Sequence, residues 1–217
     1  NHIKVAVGGP LRAMQPAAVA AAITADRAAG LLPAGIVAAV GGTSVGATDD
    51  IAAIAAIAAR ENLYLHVDAA WAGSAMICPE LRHLWRGVEA ADSIVFNPHK
   101  WLGAQFDCSV QLLKDPAAQV ETLAIQPEYL KTHGRGGFVN FSEWTPPLGR
   151  RFRALKLWFL LRAHGLEGLR GMIRNHIAWS QRLAGRLAAE ADFEIITPPL
   201  LSLFSFRHRP AGVADVD

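Results

Sequence analysis

Residues 93–115 read SIVFNPHKWLGAQFDCSVQLLKD. A short run of strand character, Ser93 to Phe96, breaks into Asn97, Pro98, His99 and Lys100, and a second strand-like stretch, CSVQLLKD, follows from Cys108. A buried strand that delivers its C-terminal end to a loop leaves this trace, an apolar run giving way to polar and turn-forming residues. The trace occurs twice more upstream, in GIVAAVGGTSVGATDD (35–50) and YLHVDAAWAG (64–73). Helical stretches separate these runs. PAAVAAAITADRAA (16–29) has Pro16 near its start and Gly30 beyond its end, and IAAIAAIAARENL (51–63) is preceded by Asp49 and Asp50, either of which can cap it. ELRHLWRGVEAA (80–91) reads as a short helix and HIKVAVGG (2–9) as a strand. Strand, helix and strand in succession predict an α/β fold around a mostly parallel sheet covered by helices on both faces.

From Asp115 to Pro147 no sustained period survives, which predicts a long loop. Beyond it, RRFRALKLWFLLRAHG (150–165) sets Phe152, Leu155, Phe159 and Leu160 at helical spacing, with Trp158 and Phe159 expected in the core and Gly165 as the stop. The arginines at its start are expected to be solvated or ion-paired. A second, longer helix follows in 166–190, and DFEIITPPLLSLFSFRHR (192–209) alternates like antiparallel strands. The expected division is residues 1–175 in a large domain and 176–217 as the start of a smaller C-terminal α/β domain.

The 217-residue chain carries 21 basic and 19 acidic side chains of interspersed sign, for a net charge of +2. That balance argues against a nucleic-acid face or an anionic membrane surface, and no apolar run spans a bilayer. Two cysteines, Cys78 and Cys108, make no disulfide framework, and with no signal peptide in view the cytoplasm is the expected compartment. Neither the cysteines nor His66, His83, His164 and His176 have metal-ligand spacing, so no metal is expected and structural roles are assigned to them.

In an open α/β sheet, ligands bind beyond the C-terminal ends of the strands. Three such ends carry polar residues here: Thr43, Asp68, and the group Asn97, His99 and Lys100. Each alone fits a turn, a cap or a solvated surface. Together they form a constellation with a chemical use. A buried lysine loses its proton easily and attacks a carbonyl carbon, and a facing carboxylate keeps a pyridine nitrogen protonated. A pyridoxal phosphate enzyme needs both from its protein. Ala69 and Ala70 leave room for a flat ring beside Asp68, and Asn97 and His99 are expected to donate to its phosphate.

The stretch LHVDAAWAGSAMICPELRHLWRGVEAADSIVFNPHKWLGAQFDCS (65–109), with PEYL (127–130) and PPLGRRFRALKLWF (146–159), resembles the group II pyridoxal phosphate-dependent decarboxylases, in their aromatic-L-amino-acid decarboxylase branch. The resemblance implies a fold type I, transferase-like α/β architecture. It implies Lys100 as the lysine that carries the cofactor, Asp68 as the partner of the pyridine nitrogen, Thr43 beside the ring hydroxyl, Ala70 beneath the ring, and Asn97 and His99 at the phosphate. Tyr129 matches the tyrosine that protonates the substrate carbon after carbon dioxide leaves; Phe106 and Trp71 match the substrate pocket. The implied reaction turns an aromatic L-amino acid into its amine and carbon dioxide. Glutamate or an aliphatic diamino acid as substrate, and a noncatalytic or interaction fragment, stay as alternatives. A homodimer with a shared site is implied, and because family members are about twice as long, a companion segment of the same enzyme is expected to complete the site.

Overall fold

The computed structural model describes residues 3–124, 139 and 141–212. A two-residue hairpin opens it, with β1 (Val7–Gly8) antiparallel to β2 (Ala13–Met14). The strand expected over residues 2–9 is therefore reduced to its last residues, because its only partner among the described residues is the segment it turns back upon. Helix α1 (Pro16–Ala28) begins on its proline and buries Val19 and Ile23. The central sheet runs β3 (Gly35–Ala39), β4 (Tyr64–Asp68), β5 (Ser93–Phe96) and β6 (Val110–Leu113) in that spatial order. The first three are parallel and β6 returns antiparallel to β5. Helix α2 (Ile51–Glu61) makes the crossover from β3 to β4, starting on Asp50, whose carboxylate accepts from the Ala53 N–H at 3.0 Å.

Alternation divides the sheet into two faces. Ile36, Ala38, Leu65 and Val67 point to one and are buried in a core with Ile51, Ile54 and Ile57 of α2. On the other, Val37 and Tyr64 stay exposed, so the expected cover on both faces is partial there among the described residues. The helix read in 80–91 is instead a pair of 3₁₀ segments, Pro79–Trp85 and Val88–Ala90, preceded by a third at Ala72–Ile77. Helix α3 (Pro116–Leu123) occupies the start of the stretch read as loop. Asp115 caps it by accepting from the N–H groups of Ala117 and Ala118.

Helix α4 (Arg153–Ala188) is interrupted at Gly165, where φ 64° and ψ 171° suit glycine and break the ladder where the sequence predicts a stop. Its first segment corrects one expectation: Trp158 and Phe159 are 53% and 58% exposed, not core. Helical spacing identifies an apolar stripe but not what covers it. The second segment buries Leu169 and Ile173 in the main core and packs on the antiparallel pair β7 (Phe193–Leu200) and β8 (Leu203–His208). The boundary expected after residue 175 falls within this segment. No helix among the described residues is long and apolar enough to cross a membrane.

Candidate active site

Parallel pairing brings the three polar strand ends to one edge. Ala39 of β3 is level with Asp68 of β4, and Asp68 with Val95 of β5. Beyond Ala39 the chain forms a compact loop in which the N–H groups of Gly41 and Gly42 both donate to the Ala47 carbonyl, at 2.9 and 2.8 Å, with Thr43 in the exposed turn between. The backbone N–H of Val40 donates to the Asp68 carbonyl, and that of Ala69 to the Val95 carbonyl. The three segments are thus knitted together where they leave the sheet.

Asp68 accepts the Ala70 N–H on Oδ1 at 2.9 Å, which turns the chain under the carboxylate. Oδ2 has no partner among the described residues. Asn97 donates its N–H to the Ala70 carbonyl at 2.8 Å, and Lys100 donates its own to the Asn97 carbonyl at 2.9 Å, so the NPHK turn is fastened directly to the segment carrying Asp68. The Lys100 side chain is exposed, and its ammonium meets no acidic partner among the described residues. That corrects the expectation of a buried lysine: the turn that carries it beyond β5 leaves its side chain open to solvent. Lys100 and Asp68 are both accessible, and the Lys100 ammonium and Asp68 Oδ2 are uncommitted among the described residues.

His99 is held from behind. The Cys108 N–H, whose direction the peptide plane fixes, donates to His99 Nδ1 at 3.0 Å. The Cys108 carbonyl also lies 2.7 Å from Nδ1, but a nitrogen receiving a proton from the backbone cannot donate one to that oxygen, so the acceptor role governs. The ring proton then sits on Nε2, free to donate. Phe106 stands edge-on to His99, ring centres 4.9 Å apart, and is 74% exposed. The neighbouring Asp107 pairs with Arg153 at the start of α4 at 2.9 Å, and that guanidinium holds its carboxyl below the ordinary range. The arginine cluster is therefore partly ion-paired, as expected.

These residues fit pyridoxal phosphate. An unpaired carboxylate oxygen on Asp68 suits a pyridinium N–H, and an uncommitted amine on Lys100 suits a carbonyl carbon. The Nε2–H of His99 suits a phosphate oxygen. Asn97 Oδ1 is buried with no partner among the described residues and, as an acceptor, does not meet a phosphate oxygen; the Nδ2–H groups of the same half-buried amide are the donors that suit one. Ala70 is half-buried beside Asp68 and presents only a methyl group. Tyr129 lies outside the described residues. Trp71 stacks on Trp101, ring centres 4.7 Å apart and planes 14° apart.

Sequence reading passed over Trp101, Gly41 and the role of His176. The Trp101 Nε1–H donates to His176 Nδ1 at 3.1 Å. Adjacency to Lys100 was a signal for Trp101; nothing local points to a partner 75 residues away. Gly41, at φ 83°, lies so close to Trp71 and Ala72 that a Cβ would stand 2.4 Å from the Ala72 methyl. A groove of about 700 Å³ bordered by Leu31, Leu32, Ile36 and Leu63 runs elsewhere, beside β3, and includes none of the site residues.

Residues 4–209 match the family described as the pyridoxal-dependent decarboxylase conserved domain. Tyrosine decarboxylase 2 of Narcissus pseudonarcissus is 44% identical over 91% of this chain and 40% of its own. The aromatic-L-amino-acid decarboxylase of Bos taurus is 44% identical over 90% of this chain and 40% of its own. A crystal structure of Oryza sativa TDC with PLP and tryptamine superposes with a TM-score of 0.87 at 40% identity, over 91% of this chain and 41% of that one. The chain thus spans about 40% of the length of these relatives. With that match over nearly its whole length, the expected mostly parallel α/β sheet and a donor set that suits pyridoxal phosphate, the chain belongs to the pyridoxal-dependent decarboxylase family.

Proposed function

We propose that the protein decarboxylates an aromatic L-amino acid to the corresponding amine, with Lys100 and Asp68 at the centre of the site. The observation that carries this reading is that Asp68 ends β4 while the NPHK turn leaving the neighbouring parallel strand β5 is hydrogen-bonded, from the Asn97 N–H to the Ala70 carbonyl, to the segment just after Asp68, with Asp68 Oδ2 and Lys100 Nζ unpartnered among the described residues. When bound, pyridoxal phosphate supplies the electron sink for the pair released as the bond from Cα to the carboxylate breaks. Asp68 holds the proton on the pyridine nitrogen, which keeps that sink effective. The ε-amine of Lys100 would hold the cofactor at its carbonyl carbon. His99 Nε2–H and the Asn97 Nδ2–H groups would bind phosphate oxygens, Thr43 would meet the ring hydroxyl, and Ala70 would leave space for the ring. Delivery of a proton to Cα is assigned to Tyr129. Phe106 and Trp71 contribute aromatic surface for the substrate side chain, and the similarity to a tyrosine decarboxylase and an aromatic-L-amino-acid decarboxylase supports that substrate class.

The test is chemical. The cofactor-loaded protein is reduced with borohydride and digested, and the modified lysine is located by mass spectrometry; amine formation is then measured over a panel of aromatic, acidic and diamino L-amino acids. Label on Lys100, lost in Lys100→Ala, together with turnover of tyrosine, tryptophan or dihydroxyphenylalanine is the expected result. Label elsewhere overturns the site. Turnover of only glutamate or a diamino acid overturns the substrate class.

A further inference from the structure

Three segments carry the candidate site, and a single stack of side chains touches all of them. Trp71 stands three residues after Asp68, and Trp101 directly follows Lys100. Their indoles lie face to face at 4.7 Å. The third segment meets the stack at Gly41, where a Cβ would approach Trp71 Cε3 to 2.8 Å, so bare backbone rests on the indole just before Thr43. The far end of the stack is fixed by one hydrogen bond. Trp101 is buried at 6% exposure, and its Nε1–H donates to His176 Nδ1 on the second segment of α4 at 3.1 Å.

An indole nitrogen is a donor only, so a buried one without an acceptor drives its ring to rotate toward water or leaves the donor unsatisfied. His176 supplies that acceptor with its Nδ1 lone pair, which places its own proton on Nε2. The ring of His176 also lies 5.4 Å from Trp179 at a tilt of 43°, a contact that any flat side chain would make. Its specific contribution is the lone pair.

We infer that His176 is a positioning residue: by accepting the Trp101 N–H it locks the Trp101–Trp71 stack, and through that stack it holds the strand ends that present Thr43, Asp68 and Lys100 to the cofactor. His176 itself touches none of these three residues. The inference rests on the reading of this edge as the pyridoxal phosphate site, and its test separates the two.

Two quantities are measured on the full protein: the exciton couplet that closely stacked indoles produce in circular dichroism, and the dissociation constant for pyridoxal phosphate from its absorbance. His176→Leu removes the acceptor, and His176→Asn keeps an acceptor oxygen near the Nδ1 position. In His176→Leu the couplet shrinks and cofactor binding weakens about tenfold, the scale set by leaving a buried donor unpaired. His176→Asn restores both to within about twofold of wild type, which a merely space-filling role would not allow. In a Trp101→Phe background there is no N–H to satisfy, and adding His176→Leu changes cofactor binding by less than about twofold, as a closed double-mutant cycle requires. Should His176→Leu fail to fold, Trp101→Phe carries the test: cofactor binding is expected to weaken about fivefold by loss of the tether, and unchanged binding overturns the inference.

An unchanged couplet or unchanged cofactor affinity in a folded His176→Leu overturns the inference, and so does a folded His176→Asn as defective as His176→Leu. If the wild-type protein takes up no pyridoxal phosphate, the reading of the site fails and the inference with it. Normal uptake with a couplet indifferent to position 176 sinks the inference alone.

Discussion

Two adjacent aspartates divide their work according to where their backbone points them. Asp50 faces outward and caps α2. Asp49 turns inward, 8% exposed, and its two carboxylate oxygens accept the Met14 N–H at 2.7 Å and the Ala39 N–H at 2.8 Å, tying the N-terminal hairpin to the last residue of β3. Hydrogen bonds to a charged acceptor are among the stronger ones, and truncating this one leaves two backbone donors unsatisfied. Asp49→Ala is therefore expected to destabilise the protein by about 3 kcal/mol, against about 1 kcal/mol for Asp50→Ala, with urea denaturation midpoints as the measurement. The residues DD told only that one of them would cap. Which one turned inward depended on Met14 and on β3, and so lay beyond local reading. Lys100 shows the same limit from the other side. Its placement at a strand end was legible, because apolar run and polar terminus are contiguous, but its exposure depends on what lies over the sheet edge. The tether from His176 to Trp101 was out of reach for the same reason, since neither residue has a local feature that names the other.

Elements were legible where one rule of spacing governed them. Apolar runs marked β3, β4 and β5, Pro16 marked the start of α1, and Gly165 marked the break in α4. Helix α3 was missed because its stripe is weak: it buries no residue, and its start signal, Asp115 followed by Pro116, also reads as a turn. The segment at Pro79–Trp85 was mistaken in type, since a proline start and apolar spacing do not distinguish one turn ladder from another. That segment is fastened to α4 by Glu80, whose carboxylate accepts from Arg174 Nε at 2.7 Å and Nη2 at 3.2 Å. The hydrogen bonds from Arg174 lower the Glu80 carboxyl from 4.5 to about 2. A carboxylate with a lower pKa in the folded than in the unfolded chain contributes stability that is complete above pH 4.5 and lost as the pH falls through about 2. Glu80→Gln removes that contribution at every pH. Thermal midpoints recorded across this acid window should fall less steeply for Glu80→Gln than for wild type; parallel curves would show that the pair does not couple the two elements.

At the scale of the whole molecule the apolar surface is unevenly distributed. Phe152, just before α4, and Leu155, Trp158, Phe159 and Leu161 of its first segment are all exposed, as are Phe141 and Leu148 shortly before it. Scattered single apolar residues are ordinary on a protein surface, but a contiguous group of this size marks a contact area. A second copy is the occupant we propose, consistent with the homodimer that the family resemblance implies, because a two-fold contact lets one helical stripe meet its own equivalent. The Asp107–Arg153 pair links the start of this helix to the residues just after Phe106, so closing such an interface would bear directly on the wall of the site. Trp158→Glu with Phe159→Glu places two carboxylates at the proposed contact while leaving Lys100, Asp68 and the buried face of α4 untouched. Sedimentation equilibrium should then report a dimer for the wild-type protein and a shift of at least about tenfold toward monomer for the double variant, since unpaired charge buried at an interface is strongly unfavourable. A wild-type protein that sediments as a monomer, or a double variant that dimerises as tightly as the parent, would overturn the assignment of this stripe to a second copy.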